Sequence, residues 1–150
     1  MKVDIFRTQN KYSIIYADPA WSYRDKALAG SRGAGCKYDV MSVEDIKRLP
    51  VKDLAEDDCV LFMWVTMPFL EEAFEVMRAW GFEYKTCAFT WIKQNKKADT
   101  LFWGMGNWTR ANAELCLLGV RGKPKRADAG VHSVIISHIE EHSKKPAETR

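Results

Sequence analysis

The sequence predicts an α/β fold, a mostly parallel sheet with helices on both faces. Two runs read as strands: Tyr12 to Ala17, short, β-branched and aromatic, and Cys59 to Val65, continuously apolar. Between the second run and a further strand-like stretch, Tyr84 to Ile92, lies an amphipathic segment, Phe69 to Trp80, with Leu70, Ala73, Phe74 and Met77 on one face. Strand, helix, strand is the order of a βαβ unit, whose crossover makes its strands parallel.

Taken in order, Tyr12 to Ala17 reads as a buried strand and ends at Asp18-Pro19-Ala20-Trp21. The carboxyl ends of strands in open α/β sheets are where ligands bind, because the loops there diverge. Pro19 fixes its own φ and has no N–H to donate, and it biases Asp18 towards extended backbone. A carboxylate, a rigid carbonyl and an aromatic face can therefore converge on one pocket, although the tetrapeptide alone also reads as a plain turn. Residues 22 to 39 have no apolar period but contain Gly30, Gly33 and Gly35, so they read as a long mobile loop at the site. Ser42 caps a short helix ending near Leu49-Pro50, with Asp45 in place of the usual Glu or Gln of a capping box. Cys59 to Val65 suits a central strand covered on both faces. Pro68 opens the next helix and Gly81 stops it, and Ala113 to Val120 and Val134 to Ser137 supply the last strands.

A chain of 150 residues with 47% apolar residues can bury one core, and residues 1–150 are expected to form a single domain. No apolar run approaches the roughly 20 residues that span a bilayer, and Met1-Lys2-Val3-Asp4 does not begin a signal peptide. A cytoplasmic protein without membrane contact is expected. Cys36, Cys59, Cys87 and Cys116 lack any CxxC spacing and read as reduced thiols. His132, His138 and His142 have no partners at metal-ligand spacing, so no metal is expected. The net charge of +3 is modest, but the basic residues cluster at Lys93, Lys96, Lys97, at Arg121, Lys123, Lys125, Arg126, and at Lys144, Lys145, Arg150. On one edge of a sheet these clusters would form a phosphate-tracking rim; separately they are ordinary solvated loops. Phe102-Trp103-Gly104-Met105-Gly106-Asn107-Trp108 is either packing or a base-stacking surface. Asn107, Arg110, Asn112 and Glu114, just ahead of a buried strand, form either a structural hydrogen-bond network or a binding site.

Seven features stand in a fixed order: Asp18-Pro19-Ala20-Trp21, Leu61 to Thr66, Trp80-Gly81-Phe82, Thr90 to Lys93, Gly106 to Glu114, Cys116 to Gly122, and His142-Ser143-Lys144-Lys145-Pro146. Together they resemble the MT-A family of S-adenosylmethionine-dependent N6-adenine methyltransferases, which includes relatives of the messenger-RNA adenosine methyltransferase catalytic subunit and bacterial and phage DNA enzymes. The resemblance implies a Rossmann-like methyltransferase sheet, S-adenosylmethionine as cofactor, and adenine in DNA as substrate, with RNA the next candidate. It implies that the Asp18 carboxylate and the Pro19 carbonyl accept the two N–H groups of the target amine, and that Trp21 and Tyr23 stack on the base. Asn107, Trp108, Arg110, Asn112 and Glu114 would then meet the substrate. Asp18, Ser143, Lys144 and Lys145 would meet the cofactor, with Lys145 approaching its methionine carboxylate, and the loop of residues 22 to 39 would close over both.

Two departures from the family pattern stand out. Ala20 replaces a second proline, which keeps both acceptors. The family chain continues past its Lys-Pro element into a helix and a strand, so a domain lacking its C-terminal helix and strand is expected here. The resulting open sheet edge would invite a second copy or a partner subunit. A catalytically silent nucleic-acid-binding or partner subunit of the same fold is the alternative reading.

Overall fold

Alternation and pairing set the strands. In a computed structural model, which describes residues 2–21 and 40–150, the chain forms β1 (Tyr12–Ala17), α1 (Val43–Lys47), α2 (Val51–Leu54), β2 (Ala55–Val65), a 3-10 turn (Met67–Phe69), α3 (Leu70–Ala79), β3 (Glu83–Gln94), β4 (Glu114–Arg121), β5 (Val134–His138) and a last 3-10 turn (Ala147–Thr149). The strands make one five-stranded sheet in the order β1-β2-β4-β3-β5.

The sheet is mixed, which corrects the expectation of a mostly parallel one. β1 with β2 and β3 with β5 pair in parallel, whereas β4 is antiparallel to both β2 and β3. The reason lies between β3 and β4. The intervening residues, 95 to 113, contain no helix, so the chain returns as a long hairpin instead of crossing over. β1, β2, β3 and β5 thus all point one way, and β4 runs against them. The first strand is also an edge strand rather than a buried one: among the described residues it pairs with β2 alone, and Ile14 is 63% exposed.

On one face of the sheet, Leu61, Met63 and Val65 of β2 and Leu117 of β4 alternate into a core closed by Ile46, Val51, Ala73, Val76, Met77 and Trp80. Each Leu, Ile, Val or Met side chain among them contributes about 1.5–3 kcal/mol when removed from water. Ser42 Oγ accepts the Asp45 N–H at 3.1 Å and fixes the start of α1. The Trp80 indole N–H donates to the Ile46 carbonyl at 2.9 Å, locking α3 to α1, and Gly81 ends α3 with φ +86°. α3 crosses the sheet at Gly119, where a Cβ would lie 2.7 Å from Met77 Sδ.

The other face is built differently. Its core is Trp64, Trp91 and Cys116, with Phe62, Phe89 and Ile135 against them. Among the described residues no helix covers this face, which corrects the expectation of helices on both sides: α1 and α3 pack into the first core. Trp64 is nonetheless 0% exposed. The Tyr16 hydroxyl meets its indole edge and Lys145 its ring, both tied to the segment that ends in the last 3-10 turn.

Candidate active site

Because β4 runs against its neighbours, its first residue lies where the others end. Ala17 pairs with Met63 and Val65 with Leu115, while Trp91 pairs with Glu114. One edge of the sheet therefore collects Asp18 after β1, Thr66 after β2, Lys93 near the end of β3, Glu114 at the start of β4 and Ile139 after β5. These five, with Pro19, Trp21, Phe69, Trp91, Phe102 and Glu141 to Lys145, line a cavity of about 480 Å³.

A charge chain runs along its floor. Glu114, 8% exposed, accepts from Lys145 Nζ at 2.8 Å through Oε1 and pairs with Lys93 Nζ at 3.1 Å through Oε2. Lys145 Nζ also stands 3.7 Å from Asp18 Oδ2. Each ammonium rests near an indole face, Lys93 at 5.1 Å from the Trp91 centroid and Lys145 at 5.4 Å from that of Trp64. Burial raises the Asp18 carboxyl above its ordinary value of 3.8; Lys145 pulls it down, Glu114 pushes it up, and the net shift is upward. Glu114 behaves in the opposite way: burial pushes it up, but Lys145 and Lys93 together hold it below its ordinary 4.5. The Cys116 thiol beneath the site is pushed up to about 12, chiefly by burial, and is inert as a nucleophile.

The turn before Lys145 sorts two neighbouring lysines. Ser143 adopts φ +60°, an uncommon conformation for a residue with a Cβ, and Lys144 N–H donates to the Glu141 carbonyl at 3.1 Å. Lys144 then points to Glu140 at 2.5 Å on the surface, while Lys145 turns inward and is 8% exposed. Of these expected cofactor-side residues, Lys145 supplies the buried cation and Lys144 an exposed one at the rim.

Asp18 and Pro19 line the cavity as the sequence suggested. The Pro19 carbonyl already accepts the Trp21 N–H at 2.8 Å, leaving it one lone pair to offer. Trp21 is 7% exposed; its indole N–H donates to the Trp64 carbonyl at 2.9 Å and its ring stacks on Phe69 at 5.7 Å. Its face is taken up by the core, so it frames the pocket wall. Tyr23 and the loop of residues 22 to 39 lie outside the described residues.

The polar residues ahead of β4 divide. Asn112 imitates a strand partner: its Oδ1 accepts the Lys93 N–H at 2.9 Å and its Nδ2 donates to the carbonyls of Lys93 at 3.0 Å and Phe102 at 2.5 Å. Arg110 donates to the carbonyls of Gly104 and Trp103, both at 3.0 Å. These two hold a hairpin in which Gly104 and Ala111 exchange backbone hydrogen bonds and Gly106 leaves no room for a Cβ, which would meet the Thr109 carbonyl at 1.9 Å. Asn107 and Trp108 sit at the exposed tip, outside the cavity lining, with Trp108 98% exposed. Glu114 alone of this group reaches the cavity.

The basic clusters separate too. Lys93, Lys144 and Lys145 share the cavity edge, but Arg121 ends the antiparallel β4 beside Cys59, at the opposite edge, where it donates to the carbonyls of Lys52 and Ala55. A single rim of three clusters is excluded by the direction of β4. Lys93 was legible as part of a basic cluster and as the end of a strand, but not as a partner of Glu114. Its pairing with Glu114 required knowing that β3 ends where β4 begins.

Residues 12–150 match the MT-A70 family. The chain is 32% identical to the type II methyltransferase M.MunI of a Mycoplasma species, over 92% of its own length and 64% of the relative. It is 29% identical to the N6-adenosine-methyltransferase catalytic subunit METTL3 of Homo sapiens, over 92% of its own length and 22% of that protein. An MT-A70-like N6-adenosine-methyltransferase of Arabidopsis thaliana is 27% identical over 98% of the chain and 20% of the relative. The chain thus spans just under two thirds of the bacterial relative and about a fifth of the larger ones. With nearly all of its sequence covered by one family pattern and its acid, lysine and glutamate gathered at one sheet edge, the chain belongs to the MT-A70 family.

Proposed function

We propose that this chain carries the catalytic site of an adenine-N6 methyltransferase acting on DNA. S-adenosylmethionine is the methyl donor of the family's methyltransferases, and the donor set of the cavity fits it. Two ammonium groups and two carboxylates at one sheet edge complement the carboxylate and amine of an amino-acid tail. Lys145 and Lys93 are the cations suited to the tail carboxylate, and Asp18, at 38% side-chain exposure, is more open than Glu114 at 11%. When bound, the cofactor supplies a methyl group on a positively charged sulfur.

The chain's residues then have to deliver the nucleophile. The lone pair of adenine's exocyclic nitrogen is delocalised into the ring, so attack builds positive charge on that nitrogen. The Asp18 carboxylate and the free lone pair of the Pro19 carbonyl accept its two N–H groups, orient it and stabilise that charge as it grows. Burial raises the Asp18 carboxyl, and Lys145 offsets part of that effect in favour of the carboxylate. Trp21 and Phe69 wall the cavity and exclude water on one side. DNA is favoured over RNA by the higher identity to the bacterial type II methyltransferase than to the N6-adenosine relatives. The hairpin tip with Trp103, Met105 and Trp108, which are 53%, 89% and 98% exposed, is the stacking surface for the strand, with Lys96 and Lys97 in the neighbouring turn.

The observation that carries this reading is Asp18 at a strand end, facing the cavity and 3.7 Å from the buried Lys145. Tritiated methyl transfer from S-adenosylmethionine to unmethylated duplex DNA, single-stranded DNA and RNA tests it. Label is expected on DNA, with a loss of about a hundredfold or more in Asp18→Ala. Label on none of the three, or equal label with Asp18→Ala, would overturn it.

A further inference from the structure

Lys145 is held in the cavity by a contact on the first strand. The Tyr16 hydroxyl accepts the indole N–H of Trp64 at 2.7 Å and lies 2.9 Å from Thr149 Oγ1. Thr149 Oγ1 in turn donates to the Pro146 carbonyl at 2.7 Å. A threonine hydroxyl has one proton, and that bond uses it. The Tyr16 hydroxyl must therefore donate to Thr149 Oγ1, which fixes every proton in the series: Trp64 N–H to Tyr16 oxygen, Tyr16 O–H to Thr149 oxygen, Thr149 O–H to the Pro146 carbonyl.

The series closes on the site. Pro146 follows Lys145 directly, and the Lys145 ammonium rests 5.4 Å from the centroid of the same Trp64 ring whose edge begins the series. Tyr16 lies two residues before Asp18, so one strand carries the carboxylate and the hydroxyl that docks its partner lysine. Trp64 is 0% exposed and Thr149 and Lys145 are each 8% exposed, so the two ends of the series are buried, while Tyr16 itself is 37% exposed on the edge strand. We infer that Tyr16 is a positioning residue, its hydroxyl seating the Pro146 to Thr149 turn so that Lys145 stands beside Asp18. For its catalytic meaning this rests on the methyltransferase reading, but its test does not.

The test follows the Asp18 carboxyl by carbon NMR as pH is varied in the folded chain. The charged groups facing it are Lys145 and, from β4, Glu114, with Lys93 of β3 beyond Glu114 and with Glu141 and His142 on the cavity wall. Lys145→Met should raise the proton affinity of Asp18 by about tenfold, and Tyr16→Phe and Thr149→Val each by about threefold. Thr149→Ser, which keeps the hydroxyl, should restore the parental midpoint. In the Lys145→Met background, Tyr16→Phe should add nothing, which distinguishes seating of the lysine from general loosening of the fold. An unchanged midpoint in Tyr16→Phe and Thr149→Val, an equal shift with and without Lys145, or no effect of Lys145→Met would each overturn the inference. Failure of the parent chain to transfer methyl groups would count against the proposed function and leave this titration readable.

Discussion

The two faces of the sheet are closed by opposite means. One is covered by helices through side chains that interdigitate, Met77 against Gly119 and Trp80 into the α1 backbone. The other is covered by a short irregular segment through polar contacts, with Trp64 bonded to Tyr16 and beneath Lys145. Apolar packing is directional only through shape, so the first face holds the fold and gives the site only a wall, through Trp21 and Phe69. Hydrogen bonds and ion pairs fix particular atoms, so the second face can place an ammonium 3.7 Å from a carboxylate. The site lies on the face held by directional contacts.

Removing one large side chain from each face separates the two kinds of closure. Trp64→Ala should cost about 3–5 kcal/mol and Met77→Ala about 2–5 kcal/mol, because both are fully buried and leave cavities. Denaturant unfolding measures the costs, and the NMR titration of Asp18 separates the consequences. Trp64→Ala should also move the Asp18 titration upward, since the seat of Lys145 is lost, whereas Met77→Ala should leave it in place. An equal shift in both variants would show that the faces are not independent.

This division also explains what the sequence could disclose. The helical face was legible because its signals are local: apolar alternation in Leu61, Met63 and Val65, helical spacing in Ala73 and Met77, and Gly81 as a stop. Asp18 and Glu114 could be nominated because each stands at the end of such a strand. The direction of β4 was not legible. The one local signal is an absence: the glycine- and aromatic-rich stretch before β4 has no helical period, which suits a return hairpin, yet a loop of that length is also long enough to cross over. That one unknown misplaced the Arg121 cluster and hid the pairing of Lys93 with Glu114. Contacts such as Tyr16 with Thr149 join residues far apart in sequence through single hydroxyls and leave no periodic trace. Asn112 illustrates the same limit: it read equally as ligand or network, and its three backbone partners make it network.

The charged contacts of the second face depend on Glu114. Glu114→Gln keeps the shape but leaves Lys93 and Lys145 without their shared anion, at a cost of about 1.5–3 kcal/mol at neutral pH. Glu114 is held below its ordinary value in the folded chain, so its contribution is present above the ordinary carboxylate range and is lost as pH falls through the depressed folded value. The stability gap between parent and Glu114→Gln should therefore close in acid. A gap that stays constant down to acidic pH would mean that the carboxylate's charge is not what stabilises this face. Asp18 carries the opposite sign. Its raised carboxyl takes up a proton at higher pH than an unburied aspartate, so methyl transfer should fail on the acid side above the ordinary 3.8.

The smallest expected effect on stability belongs to Trp108. At 98% exposure its ring supports neither face of the sheet, and the hairpin beneath it is held by Arg110, Asn112 and the Gly104 to Ala111 backbone pair. Trp108→Ala should therefore change stability by no more than about 0.5 kcal/mol in denaturant unfolding. If the tip stacks on the nucleic-acid strand, the same variant should weaken binding to DNA by about tenfold in a fluorescence titration, the loss of one stacked base. Loss of stability would mean that the ring packs on the domain after all. Unchanged binding would remove the tip from the substrate path, leaving recognition to the cavity edge and the residues around Lys93.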